Sequence, residues 1–157
     1  MSTLSLKNSY PTTETATQLN VLLATLADFY FSYKHYHWNL VNSDFFEYHK
    51  LFDSHASTIY ETLDQTAERI RQVGEKVTGE IADYTKNTLL KNRLADESDL
   101  LATLTYLVEC HDKTIDLLES IIKHTGEIND YSTADLLTGF LQQHQQMRWF
   151  IAASNAR

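Results

Sequence analysis

Four stretches of helical apolar periodicity, few helix breakers, and one long connection between the second and third stretches predict an all-α four-helix bundle. The 157-residue chain holds four Gly and one Pro, which suits long helices joined by few turns. From about Thr15 to Val41, Leu19, Leu22, Leu23, Leu26, Phe29, Tyr30, Tyr33 and Leu40 recur on one helix face. Asn42, Ser43 and Asp44 make a turn, and Asp44 with Glu47 has the form of a capping box. A second helix then runs to about Val73, ahead of Gly74. Residues 74–95 carry Gly74 and Gly79 and only short apolar runs, so they read as a long connection with a short extra helix near Thr85–Lys91. A third helix spans about Glu97–Thr125 and stops at Gly126, and a fourth runs from near Ser132 to about Ala153. There is no strand pattern, repeat or low-complexity segment. Residues 1–12, closed by Pro11, read as a flexible tail, and 13–157 as a single bundle domain. The long connection lets the second and third helices run parallel, with each short turn closing an antiparallel pair.

The bulk composition narrows the function classes. With a net charge of −8, the chain repels nucleic acid unless a local basic patch reverses the field. No stretch approaches the roughly 20 apolar residues of a membrane span. Residues 1–15 have neither an apolar signal core nor an Arg-rich transit pattern, so a cytoplasmic location is expected. The single cysteine, Cys110, has no internal disulfide partner and reads as a small buried hydrophobe. Seven His and nine Tyr in so short a chain direct attention to metal and redox chemistry.

Five side chains form a constellation: His37, His49, Asp53, Asp64 and Glu68. His37 lies six residues before Ser43 and His49 six after, so an antiparallel hairpin sets them at similar height on neighbouring helices. Asp53 follows His49 by four and Glu68 follows Asp64 by four, each pair on one face. Eleven residues separate Asp53 from Asp64, close to three full turns, so all four share one stripe. At 1.5 Å per residue, however, the two pairs are about 16 Å apart along the axis. No single metal centre spans that distance. Two such helices packed antiparallel about a twofold near Ser57–Ile59 would bring the His49/Asp53 end of one chain against the Asp64/Glu68 end of the other. Mixed imidazole and carboxylate donors without thiolate suit iron, and disfavour a structural zinc site, though zinc stands as a competitor. The alternative reading of each residue alone is a solvated helix face.

The run His37-Trp38-Asn39, then Glu47-Tyr48-His49-Lys50-Leu51-Phe52-Asp53, then Asp64-Gln65-Thr66-Ala67-Glu68-Arg69-Ile70 resembles the signature of the Dps family, the mini-ferritins. The likeness continues in Thr133-Ala134-Asp135-Leu136-Leu137 and Trp149, and spans about residues 15–153. It implies a ferritin-like four-helix bundle and a di-iron ferroxidase site shared between subunits, with His37, His49, Asp53, Asp64 and Glu68 as metal ligands. It also implies a homo-oligomeric dodecamer that stores the ferric product, with hydrogen peroxide preferred over dioxygen as oxidant. Trp38 would lie beside the iron and intercept radicals, or serve as a core or interface aromatic. Acidic residues at the start of the last helix would line pores admitting ferrous ions; Asp130 and Asp135 are the candidates, with Glu127 less certain. Asp135 also follows Ser132 by three, which is capping-box spacing. Gln145-Gln146 stand where the family often has an acid–Lys pair. Ordinary ferritins use Glu-x-x-His motifs. Here Ser32, Lys34, Phe46, Phe52, Val108, Ile121 and Leu141 stand three residues before the seven histidines, and none is Glu.

The five histidines outside this constellation have other readings. His111 and His144 lie on apolar faces, which predicts buried imidazoles with hydrogen-bond partners, while His35 and His55 are candidates for extra ligands. His124 suits the dipole at the end of the third helix. The rival function is a DNA-protecting nucleoid protein without significant catalysis. Its expected signature, a Lys/Arg-rich tail, is missing: residues 1–16 carry only Lys7 against Glu14, and the C-terminus adds only Arg157. DNA binding is therefore expected to be weak or absent.

Overall fold

A computed structural model of the chain describes residues 12–90 and 94–154, with the side chain of Thr12 left aside. The tail expected over 1–12 thus lies outside the described residues, apart from Thr12 at the start of a helix. Five helices follow one another: α1 (Thr12–Asn39), α2 (Phe45–Gln72), α3 (Ile81–Asn87), α4 (Leu100–Glu127) and α5 (Tyr131–Ser154). There are no strands among the described residues. Both α1/α2 and α4/α5 are closely packed hairpins, and α1 also packs on α4.

The direction of each helix follows from side-chain contacts. The Tyr36 hydroxyl donates to the Ala95 carbonyl (3.2 Å), Ser32 meets Tyr106 (3.2 Å), and Glu14 lies 4.0 Å from His124. The end of α1 therefore meets the start of α4, and the two are antiparallel, which leaves α2 and α4 parallel as the long connection predicts. That connection returns along α1 step by step. The Thr78 N–H donates to Asn20 Oδ1 (3.4 Å), the Thr88 hydroxyl to Asp28 Oδ2 (2.9 Å), and the Leu89 N–H to Thr25 Oγ1 (3.2 Å). The core between the hairpins is built from Leu22, Leu26, Phe29 and Tyr33 of α1, Phe52 and Ile59 of α2, Leu107 and Leu118 of α4, and Leu137 and Ile151 of α5, all fully buried.

Four local features differ from the sequence expectations. The short helix of the connection lies at Ile81–Asn87, not Thr85–Lys91. Thr88 is spent on α1 and stands at φ −59°, ψ 145°, so the helix cannot continue through it. Asp44 makes no side-chain cap to α2; instead its N–H donates to Asn42 Oδ1 (2.9 Å). Helix α4 runs through Gly126, and the reversal is made by Asn129 at φ 61°, with the Asp130 N–H donating to the Thr125 carbonyl (2.8 Å). At the end of α2, by contrast, Gly74 takes the left-handed conformation at φ 97°. Finally, α5 is capped by Asp130, which accepts from the Thr133 N–H (3.2 Å) and hydroxyl (2.5 Å), and not by Ser132 with Asp135.

Candidate metal centre

The hairpin sets His37 and His49 face to face, with ring centroids 3.8 Å apart and planes within 18°. Each ring donates its Nδ1–H to the other's backbone carbonyl, both at 2.8 Å. Because a carbonyl only accepts, both neutral tautomers are fixed with the proton on Nδ1 and the lone pair on Nε2. An imidazole held this way is oriented to ligate a cation through Nε2. Phe45 packs 5.0 Å from the His49 ring and closes one side of the pair.

Asp53, one turn beyond His49, completes this group. Its Oδ1 lies 3.9 Å from His37 Nε2 and accepts from Lys34 Nζ at 2.8 Å. The Lys34 hydrogen bond, then its charge and the two imidazoles, hold the Asp53 carboxyl below its ordinary range. Asp53 is therefore ionised and its side chain is about half exposed (54%). An incoming cation would meet the same oxygen that Lys34 now holds, so lysine and cation compete for it.

Asp64 and Glu68 are exposed at the far end of α2. Glu68 borders a surface depression with Gln65, Arg69, Gln72, Ser132 and Leu136. Within the chain the structure thus pairs His37 with His49, sets Asp53 next to His37, and leaves Asp64 and Glu68 apart from them. Among the described residues, no three His, Cys, Asp or Glu side chains converge closely enough to hold an ion within the single chain. Trp38 is exposed (62%), with Lys34 Nζ 5.7 Å from its ring centroid, so it is not a core residue of the subunit.

The two acidic residues of the α4–α5 turn separate. Asp130 is buried, and its Oδ1 pairs with Arg69 of α2 at 2.9 Å in addition to the α5 cap. A carboxylate so committed is not free to line an opening. Asp135 is exposed one turn into α5. His35 lies 3.5 Å from Glu97 near the start of α4, away from the His37/His49 pair.

The sequence reading anticipated buried, bonded His111 and His144 but not what joins them. His144 Nδ1 lies 3.1 Å from His111 Nδ1, His111 Nε2 lies 2.7 Å from the Tyr33 hydroxyl, and His55 Nδ1 lies 3.1 Å from that hydroxyl. One residue from each long helix enters this chain, and all four are buried. Burial pushes His55 down to about 4 and His144 to about 3, and lowers His111 as well, so the three rings are neutral at pH 7. The apolar faces signalled the burial, but no spacing in the sequence links four separate helices. Cys110 is buried and pushed up to about 12, in keeping with an inert thiol.

A ferritin-like domain matches residues 16–156. A low temperature-induced protein of Nostoc is 31% identical over 137 residues, covering 85% of this chain and 76% of its own length. The DNA protection during starvation protein of Agrobacterium fabrum is 28% identical over 98% of this chain and 96% of its own. Among solved structures, Dps from Thermosynechococcus elongatus superposes with a TM-score of 0.87 at 26% identity, covering 92% of this chain and 91% of that one. Dps from Vibrio cholerae superposes at 0.90 over 99% of both chains, and at 24% identity that likeness speaks for the fold. With a matching domain model over nearly its whole length and Dps proteins among both its relatives and its structural neighbours, the chain belongs to the ferritin-like family, in its Dps group.

Proposed function

We propose that the protein oxidises ferrous iron at a site shared by two subunits and stores the ferric product inside a homo-oligomeric shell. The observation that carries this reading is the reciprocal His37/His49 lock, which leaves two Nε2 lone pairs beside the ionised Asp53. Two nitrogens and a carboxylate make half of an iron site, and Asp64 and Glu68 on the same α2 stripe are the other half. A twofold near the middle of α2 joins the halves. The face it would use is apolar: Tyr30, Phe31, Tyr60, Ile81 and Tyr84 line a groove there, with Phe31 (61%) and Ile81 (79%) widely exposed in the single subunit. A patch of this kind marks an association surface.

Iron is the substrate. Two ferrous ions give one electron each to hydrogen peroxide, which takes up two protons and leaves as two waters. Dioxygen is the alternative oxidant, and zinc would compete for the same donors. The carboxylates neutralise the charge gained on oxidation. Asp135, exposed at the start of α5, is the remaining candidate for guiding cations inward, and Trp38 for intercepting stray radicals beside the site. The assembly proposed is a dodecamer in the cytoplasm. With a net charge of −8, DNA binding is weak or absent.

Complementation tests the shared site. One variant carries His49→Ala and Asp53→Ala, the other Asp64→Ala and Glu68→Ala; each alone should be nearly inactive. Equal co-assembly makes about half the dimers mixed, and each mixed dimer rebuilds one site of two, so roughly a quarter of wild-type ferroxidase activity returns. Mixed assemblies, verified by mass, that stay at the inactive baseline refute the model.

A further inference from the structure

We propose that Tyr33 is a redox-active residue: it gives one electron to a one-electron oxidant formed when peroxide meets iron, and hands its phenolic proton to His111. The proposal rests on the ferroxidase reading only for the source of that oxidant.

Three tyrosines of the core are buried, and their hydroxyl partners differ. Tyr36 donates to the Ala95 carbonyl and Tyr106 pairs with the Ser32 hydroxyl. Neither partner is a base, so losing an electron there would strand a proton. Tyr33 instead faces His111 Nε2 at 2.7 Å and His55 Nδ1 at 3.1 Å. The proposed proton order runs along the shorter contact: the phenol donates to His111 Nε2, His111 carries its proton on Nδ1 and donates it to His144 Nδ1, and the His55 Nδ1–H donates to the phenol oxygen. His144 is left with its proton on Nε2, and that buried atom has no hydrogen-bond partner. The neutral His111 is thus an acceptor aligned on the one hydroxyl that must lose its proton on oxidation.

The position suits the task. Tyr33 lies one turn before His37 on α1, about 6 Å in axial rise. Its ring packs 5.8 Å from that of Phe52, the residue before Asp53. Phe29 stacks on its other side at 5.1 Å, and the whole group is shut off from water. A radical formed here is near the iron and shielded from solvent.

The step balances. The Tyr33 O–H bond breaks, the proton forms the second N–H of His111, and the electron reduces the oxidant, a hydroxyl radical becoming hydroxide. His111 can share its added charge with His144 through their mutual hydrogen bond. A later ferrous ion returns the electron, becoming ferric, and the proton returns from His111 to the phenolate oxygen. One hydroxyl radical is thereby reduced to hydroxide and one further ferrous ion is oxidised to ferric.

The test has two arms. In the first, iron-free assembled protein with 15N-labelled histidine is oxidised by a photogenerated ruthenium(III) polypyridyl complex and frozen for electron paramagnetic resonance. A tyrosyl radical with imidazole nitrogen hyperfine coupling is expected, and this requires no substitution. Tyr33→Phe, which conserves ring volume, should reduce the tyrosyl signal to background, and Tyr36→Phe should leave it unchanged. A radical without nitrogen coupling, or one that survives Tyr33→Phe, overturns the proposal. In the second arm, ferrous-loaded protein is mixed with peroxide and freeze-quenched. The same radical should appear, and Tyr33→Phe should raise spin-trapped hydroxyl radical several-fold. Iron oxidation with no Tyr33 radical refutes this role alone. Absence of iron oxidation refutes the ferroxidase reading and leaves the first arm to decide on Tyr33.

Discussion

Asp130 illustrates how one residue can carry several structural duties. Its carboxylate caps α5 through Thr133 and neutralises Arg69 of α2 inside the protein. Removing one partner of a buried pair leaves the other charge uncompensated, which costs about 3 kcal/mol or more. Asp130→Ala should therefore lower the denaturant midpoint by an amount equivalent to about 3 kcal/mol, the lost cap included. Asp135, exposed and without such ties, should behave in the opposite way. Asp135→Asn is expected to slow ferrous uptake while leaving stability within about 0.5 kcal/mol, because surface changes are usually small. Uptake kinetics and urea unfolding of the two variants separate the roles; unchanged uptake in Asp135→Asn would leave that residue without a part in iron entry.

At the scale of the element, α2 combines two tasks. Its buried face, with Phe52, Ile59 and Ile70, packs the bundle, and its outer stripe presents the candidate donors. These were legible in the sequence because both faces obey one helical period. The connection was less legible. Its length and its role in making α2 and α4 parallel followed from the spacing of Gly74 and the third helix, but the short helix was misplaced by four residues. Thr88 decides that boundary by bonding to Asp28, a residue 60 positions away. The caps of α2 and α5 were also misassigned, since a capping pattern competes with tertiary demands. Asn42 takes the Asp44 N–H, and the pull of Arg69 brings Asp130 into place.

The whole molecule should be sensitive to acid. His55, His111 and His144 are neutral in the fold with lowered proton affinity, whereas unfolded histidine binds a proton below about pH 6.5. Between those values the unfolded state holds more protons, so stability rises with pH. Stability is complete above about pH 6.5 and is lost as pH falls toward about 4, by up to about 1.4 kcal/mol per pH unit for each histidine. Urea midpoints of the assembly from pH 7.5 to 5 should fall accordingly, and His144→Leu should remove about a third of the slope. A flat profile would mean that the cluster is protonated when folded. Light scattering should find a shell of twelve chains, and plasmid DNA should migrate unretarded with the protein at about 0.15 M salt. A stable dimer or a 24-mer would refute the assembly, and a retarded band the weak DNA binding.

Helical period, breaker positions and turn lengths are local properties, so the sequence by itself determined the all-α class, the four long helices, the parallel relation of α2 and α4, and the stripe of candidate donors. Tertiary structure alone decided the rest. The proton positions on His37 and His49 depend on carbonyls across a hairpin. The burial of Asp130 depends on Arg69, and the Tyr33 chain needs four helices to meet. A hydrogen bond between distant segments is fixed by distance and angle in space, and no spacing along the chain encodes either.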